Sequence, residues 1–195
     1  MERKVGTVSR GIRCPIIREG DDLVKIVTGS VLEAAAAEGF AIRDRDVIAV
    51  TESVVARAQG NYASIEAIAQ DVKEKLGGET IGVIFPILSR NRFAICLRGI
   101  AKGAKKVVLM LSYPSDEVGN ELVTFDQLDA AGINPYSDVL TLEKYRELFG
   151  ENKHPFTGVD YVSYYGDVIR EAGEEAEIIF ANDCRSILAY TKNVL

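Results

Sequence analysis

Asp46-Val47-Ile48-Ala49-Val50-Thr51-Glu52-Ser53-Val54-Val55-Ala56-Arg57-Ala58-Gln59-Gly60-Asn61 is the stretch that sets the reading of the chain. A short apolar, β-branched run over residues 47–50 predicts a strand. It ends in hydroxyls and an acid, Thr51-Glu52-Ser53. A second apolar pair, Val54-Val55, precedes Arg57, and the stretch closes on Gly60-Asn61. A buried strand opening into hydroxyls, a guanidinium and a glycine makes a phosphate-binding edge, and so points to an anion-binding α/β domain. The competing reading of the same residues, strand-end capping plus a surface arginine, is the simpler one.

Toward the N-terminus, residues 4–13 alternate apolar and polar side chains and predict a first strand. Pro15, with no N–H to donate, marks its edge or a loop. Glu19-Gly20-Asp21-Asp22 then gives a turn and an acidic cap for a helix ending at Gly39, with Leu23, Ile26, Val27, Ala34 and Ala35 near one face. Asp44-Arg45-Asp46 is a polar turn.

Toward the C-terminus, Ser64 caps a helix whose Ile65, Ile68, Val72 and Leu76 recur at amphipathic spacing, ended by Gly77-Gly78. Residues 80–88, TIGVIFPIL, predict a strand that Pro86 kinks or ends. Ser89 is expected to cap a helix over 90–103 with Phe93, Cys96, Leu97 and Ile100 inward. Residues 105–112, KKVVLMLS, form a continuous apolar run typical of a strand covered on both faces. Short strand-like runs follow at 122–123, 178–181 and 187–191. Between them lie helices over 125–131 and 142–149, the latter capped by Thr141. A tyrosine-rich helix capped by Asp160 precedes the 178–181 run. The expected fold class is therefore α+β, α/β-like: a mixed β-sheet with flanking helices, in a single domain over residues 1–195. The apolar end, Asn193-Val194-Leu195, raises the expectation that this domain is cut from a longer protein.

At 195 residues and 47% hydrophobic, the chain can bury one sizeable core or two small lobes sharing one. No apolar run reaches the ~20 residues of a membrane span, and no signal sequence is evident, so a cytoplasmic protein without a membrane partner is expected. The net charge of −6 speaks against nucleic-acid binding. Yet no acid occurs between Glu79 and Asp116, while Arg90, Arg92, Arg98, Lys102, Lys105 and Lys106 do. A local positive face for a small anionic ligand follows. Cys14, Cys96 and Cys184 are far apart and form no CxxC, which excludes a zinc or disulfide framework. Cys96 reads as a buried helix residue. Cys184 lies in a polar loop, and a cysteine-based enzyme using it is a third-rank reading.

Two further candidate sites arise from residue chemistry. Arg90 and Arg92 open the helix at Ser89, where bases oppose the helix dipole unless an anion is bound. The alternative is a solvated basic turn. Asp116 and Glu117, in the loop SYPSDEVGN, are the candidate Mg²⁺ ligands, with Asp183 as an added one; paired acids in a loop are more often only solvated. His154, the single histidine, has no visible nucleophile partner and reads as a surface or loop-packing residue. Tyr161, Tyr164 and Tyr165 read as core or interface. No Walker or Rossmann fingerprint occurs.

Two motifs carry a family resemblance. Gly11-Ile12-Arg13-Cys14-Pro15-Ile16-Ile17-Arg18-Glu19-Gly20-Asp21-Asp22-Leu23 is similar to the N-terminal G-[IL]-P-x-I-x-x-G-D-D-L segment of the coenzyme F-420 γ-glutamyl ligases. Residues 50–61 resemble their V-T-x-K-[IV]-V-S-K-A-E-G-R strand-turn. The resemblance, carried by the first third of the chain, implies an enzyme that uses GTP and Mg²⁺ or Mn²⁺. Its reaction would add glutamate to the tail of a deazaflavin cofactor through an acyl phosphate, and the protein would be a homodimer. By motif, Cys14, Pro15, Ile16 and Ile17 would lie along the GTP site, with Glu52 and Ser53 beside it and Arg57 in place of a phosphate-contacting lysine. The family's metal-binding segments have no recognisable counterpart here. A noncatalytic domain that binds a nucleotide or small anion on the same fold is therefore the alternative to a metal-assisted amide ligase.

Overall fold

The computed structural model describes residues 6–85, 87–173 and 175–195. The start of the first expected strand, Lys4 and Val5, and the strand-ending role given to Pro86 lie outside the described residues. The chain divides into two compact units, one ending at Tyr62 and the other spanning Ala63–Leu195.

The first unit holds α1 (Leu23–Glu38) and α2 (Glu52–Gln59). Asp22 caps α1 by accepting from the Lys25 N–H. Gly39 ends it in the left-handed region, where its own N–H reaches the Ala35 carbonyl. Among its described residues this unit contains no strand, so the expectations over 7–13 and 47–51 are corrected. The reason is pairing. A β-branched run has strand propensity, but a strand exists only when a neighbour takes its N–H and C=O groups. Residues 47–50 find no neighbour, and Val47 is 88% exposed. The residues that follow, read as a strand turn, are helical instead and stop where Gly60 turns left-handed.

The second unit is an α+β fold built on a mixed, open sheet. Its elements are α3 (Ile65–Leu76), β1 (Thr80–Ile84), α4 (Phe93–Lys102), β2 (Lys106–Leu111), α5 (Phe125–Ala131), β3 (Leu140–Thr141), α6 (Leu142–Phe149), α7 (Tyr161–Ala172) and β4 (Glu175–Phe180). A 3₁₀ turn, Cys184–Ala189, follows. The strand order is β1-β2-β4-β3; β1, β2 and β4 run parallel and β3 is antiparallel to β4. The expected two-sided cover of β2 is present. Val107, Leu109 and Leu111 face a core with Val72, Leu97, Val168 and Ile169 of the helices. Val108 and Met110 face the other side with Ile179 and Ile187.

Other expectations shift. Residues 187–191 complete and leave the 3₁₀ turn rather than pair as a strand, and Ile187 covers β1: a Cβ on Gly82 would come 2.6 Å from its Cγ1. The pairing comes later, where residues 193–195 run along β1, with Gly82 N–H donating to the Asn193 carbonyl and Leu195 N–H to the Gly82 carbonyl, both at 2.8 Å. Residues 122–123 form no strand; the nearest pairing is one bridge, Ser115 to Glu121. Helix α4 begins at Phe93 instead of Arg90. Its buried stripe is Phe93, Ala94, Leu97 and Ala101, which leaves Cys96 on the exposed flank.

Helix α4 is held against its neighbours by glycine. A Cβ on Gly99 would lie 2.8 Å from Ile68 Cγ2, and one on Gly103 would lie 2.5 Å from the Ala69 carbonyl oxygen of α3. The expected positive face is largely neutralised. Arg98 pairs with Glu171, Lys102 with Glu66, Lys105 with Glu79, and Lys106 with Glu175 and Glu177. On the opposite flank, Asp160 caps α7 through the Ser163 N–H at 2.9 Å and accepts from Arg146 Nη2 at 2.9 Å. Its second oxygen lies 2.8 Å from Arg146 Nη1 as a charge contact rather than an aligned hydrogen bond. Burial pushes the Asp160 carboxyl up, but the Arg146 guanidinium and the Ser163 amide outweigh it and leave it below its ordinary value.

Two expectations follow from this packing. Gly103→Ala keeps allowed dihedrals but drives a methyl into a backbone carbonyl, so it should cost about 1–3 kcal/mol in urea unfolding. The Arg146–Asp160 pair has a depressed folded-state pKa, so its stabilisation is complete above the ordinary aspartate value and is lost as pH falls through the folded one. Arg146→Met should therefore be destabilised relative to wild type at about pH 7, by roughly 2–4 kcal/mol. The gap between the two unfolding midpoints should narrow as the pH falls below the ordinary aspartate value.

Candidate functional site

In the first unit one flagged residue from each of the two motifs meets the other. Arg57 Nε on α2 donates to the Ile17 carbonyl at 2.8 Å. Three residues on from Ile17, Gly20 N–H donates to the Ala58 carbonyl at 2.9 Å. The turn over 17–20 is thus laced to the last turn of α2. Gly60 is required at the same place: it is left-handed, and a Cβ there would fall 2.6 Å from Glu19 Oε1. Ile17 and Ala58 are buried at this junction, whereas Cys14, Pro15 and Ile16 are exposed. Arg57 is exposed and spends Nε on the carbonyl. At the other end of α2, Thr51 takes an N-cap conformation without a side-chain cap bond, and Glu52 occupies the first turn. That acid already complements the helix dipole, so an anion at this terminus would compete with it.

The segment preceding Cys14 lines a surface cleft of about 760 Å³. One wall is Arg10, Gly11, Ile12 and Arg13; the α1 wall includes Ser30, Glu33 and Glu38. The Arg10 guanidinium stands 4.6 Å over the Phe40 ring. Arg10, Ser30 and Phe40 were not flagged from sequence. The one available signal was Arg10-Gly11-Ile12-Arg13 itself, two bases flanking a glycine.

The remaining candidates belong to the second unit. Arg90 and Arg92 are exposed in the turn before α4; Ser89 Oγ accepts the Arg92 N–H at 3.3 Å. Ser89 N–H donates to the Tyr165 hydroxyl at 2.6 Å. Burial pushes the Tyr165 phenol above its ordinary value, so it stays a neutral loop anchor. Tyr113 is alike, pushed up to about 12 by burial and by Asp138. Its N–H bonds to the Asn182 side chain, whose own NH₂ returns to the Tyr113 carbonyl.

The Mg²⁺ assignment fares differently. Asp116 is only 6% exposed. Its Oδ1 accepts from the Val118 and Asn120 amides at 3.0 and 2.8 Å. Its Oδ2 accepts from the Leu88 amide at 2.8 Å and from Asn120 Nδ2 at 2.6 Å. Four donors fill the carboxylate's roughly four acceptor sites, so Asp116 is a loop fastener and does not fit a cation. Glu117 is exposed beside it. Asp183 is clamped by Arg185, which holds its carboxyl down at about 2. Among the described residues no group of three or more His, Cys, Asp or Glu side chains is placed to hold a metal ion. Cys184 is exposed at the start of the 3₁₀ turn, with the neighbouring Arg185 taken up by Asp183. The expected outcome for Asp116→Ala is a loss of about 2–3 kcal/mol in urea unfolding, since the buried Leu88 amide and the part-buried Val118 and Asn120 amides lose their acceptor. Added Mg²⁺ or Mn²⁺ should not alter wild-type stability through this residue.

Comparison with known proteins extends the motif-level resemblance. The profile of the F420-0:gamma-glutamyl ligase family matches residues 11–177. The match begins at the first glycine of the N-terminal motif and continues far past Asn61, through the helices and into β4. No curated protein and no solved structure gives a match. With most of its length covered by that profile, the chain belongs to the F420-0:gamma-glutamyl ligase family.

Proposed function

We propose that this protein is a GTP-dependent amide ligase whose nucleotide site lies in the first unit. The observation that supports this most is continuity. Arg10 and Arg13 line the cleft, and the next four residues, 14–17, lead directly to the carbonyl held by Arg57. Three guanidiniums along one stretch suit a polyphosphate, which arginine grips with paired donors. Glu33 and Glu38 on the facing wall offer carboxylate acceptors for the N1–H and amino group of guanine. In the reaction, the terminal phosphoryl group passes from GTP to a substrate carboxylate, leaving GDP and an acyl phosphate. The glutamate amine then attacks the acyl carbon, the C–N bond forms, inorganic phosphate departs with the C–O bonding pair, and the amine proton is lost to solvent. Asp116 and Glu117 have no part in this scheme.

One observation favours a second reading, a noncatalytic nucleotide- or anion-binding domain. Among the described residues no carboxylate cluster is available for metal. Two further elements of the proposal are homodimerisation and a cytoplasmic setting. The first is supported by exposed apolar side chains in the first unit, such as Val24 and Leu32. For the second, no described helix is long and apolar enough to cross a membrane. Light scattering in solution tests the dimer.

Saturable GTP binding, preferred over ATP, should be measurable by calorimetry with and without Mg²⁺ or Mn²⁺. Arg57→Ala and Arg10→Ala should each weaken it about tenfold or more, the loss of one charge-assisted contact. Glutamate-dependent phosphate release with a deazaflavin acceptor separates the ligase from the binding domain. Absence of any nucleotide binding would sink the ligase reading, and absence of binding to inorganic phosphate or pyrophosphate as well would sink the second.

A further inference from the structure

His154 is the only histidine of the chain, and histidine is the side chain whose charge changes between about pH 5 and 8. It lies in the connection from α6 to α7. Its backbone is fixed in a tight turn, with His154 N–H donating to the Val159 carbonyl at 2.9 Å and Gly158 N–H to the His154 carbonyl at 2.8 Å. The ring is held from both sides. Nδ1 faces the N–H groups of Phe156 and Thr157, each at 3.3 Å. Nε2 lies 3.0 Å from Asn120 Oδ1.

The tautomer follows from the neighbours. The Asp116 oxygens accept from N–H donors on every side, and Asn120 turns its NH₂ toward them. Asn120 therefore presents its carbonyl oxygen to His154. Nε2 must carry the proton, and Nδ1 must keep the lone pair at which the two amides point. The neutral ring satisfies every partner. A second ring proton, on Nδ1, would stand against two N–H donors.

We propose that His154 is a proton-operated latch on the tip of the strap over residues 152–158, a strap that its Nε2–H ties to the loop over residues 116–122. The two segments line opposite sides of one cleft of about 310 Å³, whose polar wall includes Asn120, Thr124, Gln127 and Asn152. The neutral imidazole bridges them. The imidazolium keeps its Nε2–H on Asn120 but loses its hold on the Phe156 and Thr157 amides, and the tip of the strap opens. Among the described residues, no titratable or charged side chain hydrogen-bonds the ring. Tyr161 of α7 meets the ring edge-on at 5.7 Å. Glu121 and Lys153 line the same cleft. Asp116 stands behind Asn120 with its oxygens already filled, and the Tyr145 hydroxyl is engaged by Asn152 at 3.0 Å. Phe156, 94% exposed at the tip of the strap, moves with the turn. The cleft therefore changes shape with pH while the sheet beneath does not.

Nuclear magnetic resonance on the full chain tests the latch. The His154 ring-proton shift gives the titration directly, with no other histidine to confuse it. At each pH, amide exchange is measured at Phe156 and Thr157 and corrected for its intrinsic pH dependence. Protection of these two amides should fall roughly tenfold as the ring titrates, equivalent to about one hydrogen bond. The Leu109 and Ile179 amides should keep theirs. In His154→Gln the two amides should be weakly protected at every pH. The latch is overturned if wild-type protection at Phe156 and Thr157 is constant through the titration, or falls only in step with Leu109 and Ile179. Should the variant fail to fold, the wild-type titration alone decides.

Discussion

The close approach of α3 to α4 is the constraint on which the second unit depends. Gly99 and Gly103 stand four residues apart and leave a strip of bare backbone on α4, against which Ile68 and the Ala69 carbonyl come to rest. The same close fit recurs at the end of α7, where a Cβ on Gly173 would lie 2.6 Å from the Ala101 carbonyl oxygen. Three helices are thereby drawn into one layer over the sheet, and α4 sits low enough for Leu97 and Ala101 to be fully buried. From there the order passes outward. Phe93, at the head of α4, stacks on Phe85 and meets the Tyr165 ring edge-on at 5.2 Å. The Tyr165 hydroxyl then takes the Ser89 amide. A packing choice between two helices therefore fixes a loop at the carboxyl end of β1.

Polar groups complete what that packing begins. Leu88 is tied through Asp116 to the loop after β2, and Tyr113 is tied through Asn182 to the loop after β4. Such networks stabilise a single arrangement only when every member is satisfied, and around Asp116 each lone pair has its donor. The segment that leads past the arginine cleft in the first unit is built otherwise. Cys14, Pro15 and Ile16 are exposed, and their anchor is the one junction at Ile17, Gly20 and Ala58. A site made from such a segment can adjust to a ligand, whereas the loops of the sheet are set in advance.

How much of this could be read from the sequence depended on whether the signal was local. Caps and stops were legible because each is a bond between near neighbours: Asp22, Ser64, Thr141 and Asp160 all cap as their position suggested. So were β1, β2 and the second half of β4, whose apolar runs need no partner to be recognised; the first half of β4, Glu175-Ala176-Glu177, reads as an acidic lead-in, and its glutamates meet Lys106 of β2 only in the fold. The strand over 47–51 was misread because β-branched composition reports propensity and says nothing of whether a neighbouring strand exists. The basic run from Arg90 to Lys106 looked like a positive face because its glutamate partners come from α3, α7 and β4, far away in sequence. Asp116 looked like a metal ligand for the same reason, since its Leu88 donor lies 28 residues away. The meeting of Arg57 with Ile17, 40 residues apart, had no local signature either; only the family motifs placed the two together.

The sheet is also uneven along its length. Lys106 begins β2 between Glu175 and Glu177 of β4, and the glutamates raise its pKa, while the far ends of both strands, Leu111 and Phe180, are buried. The fasteners described above all gather at that dry end. The wet end carries surface ion pairs, which contribute little to stability. It is therefore the natural handle of the molecule: a fluorophore or surface tether attached near Glu175 would report on or hold the fold without disturbing any loop that the sheet presents.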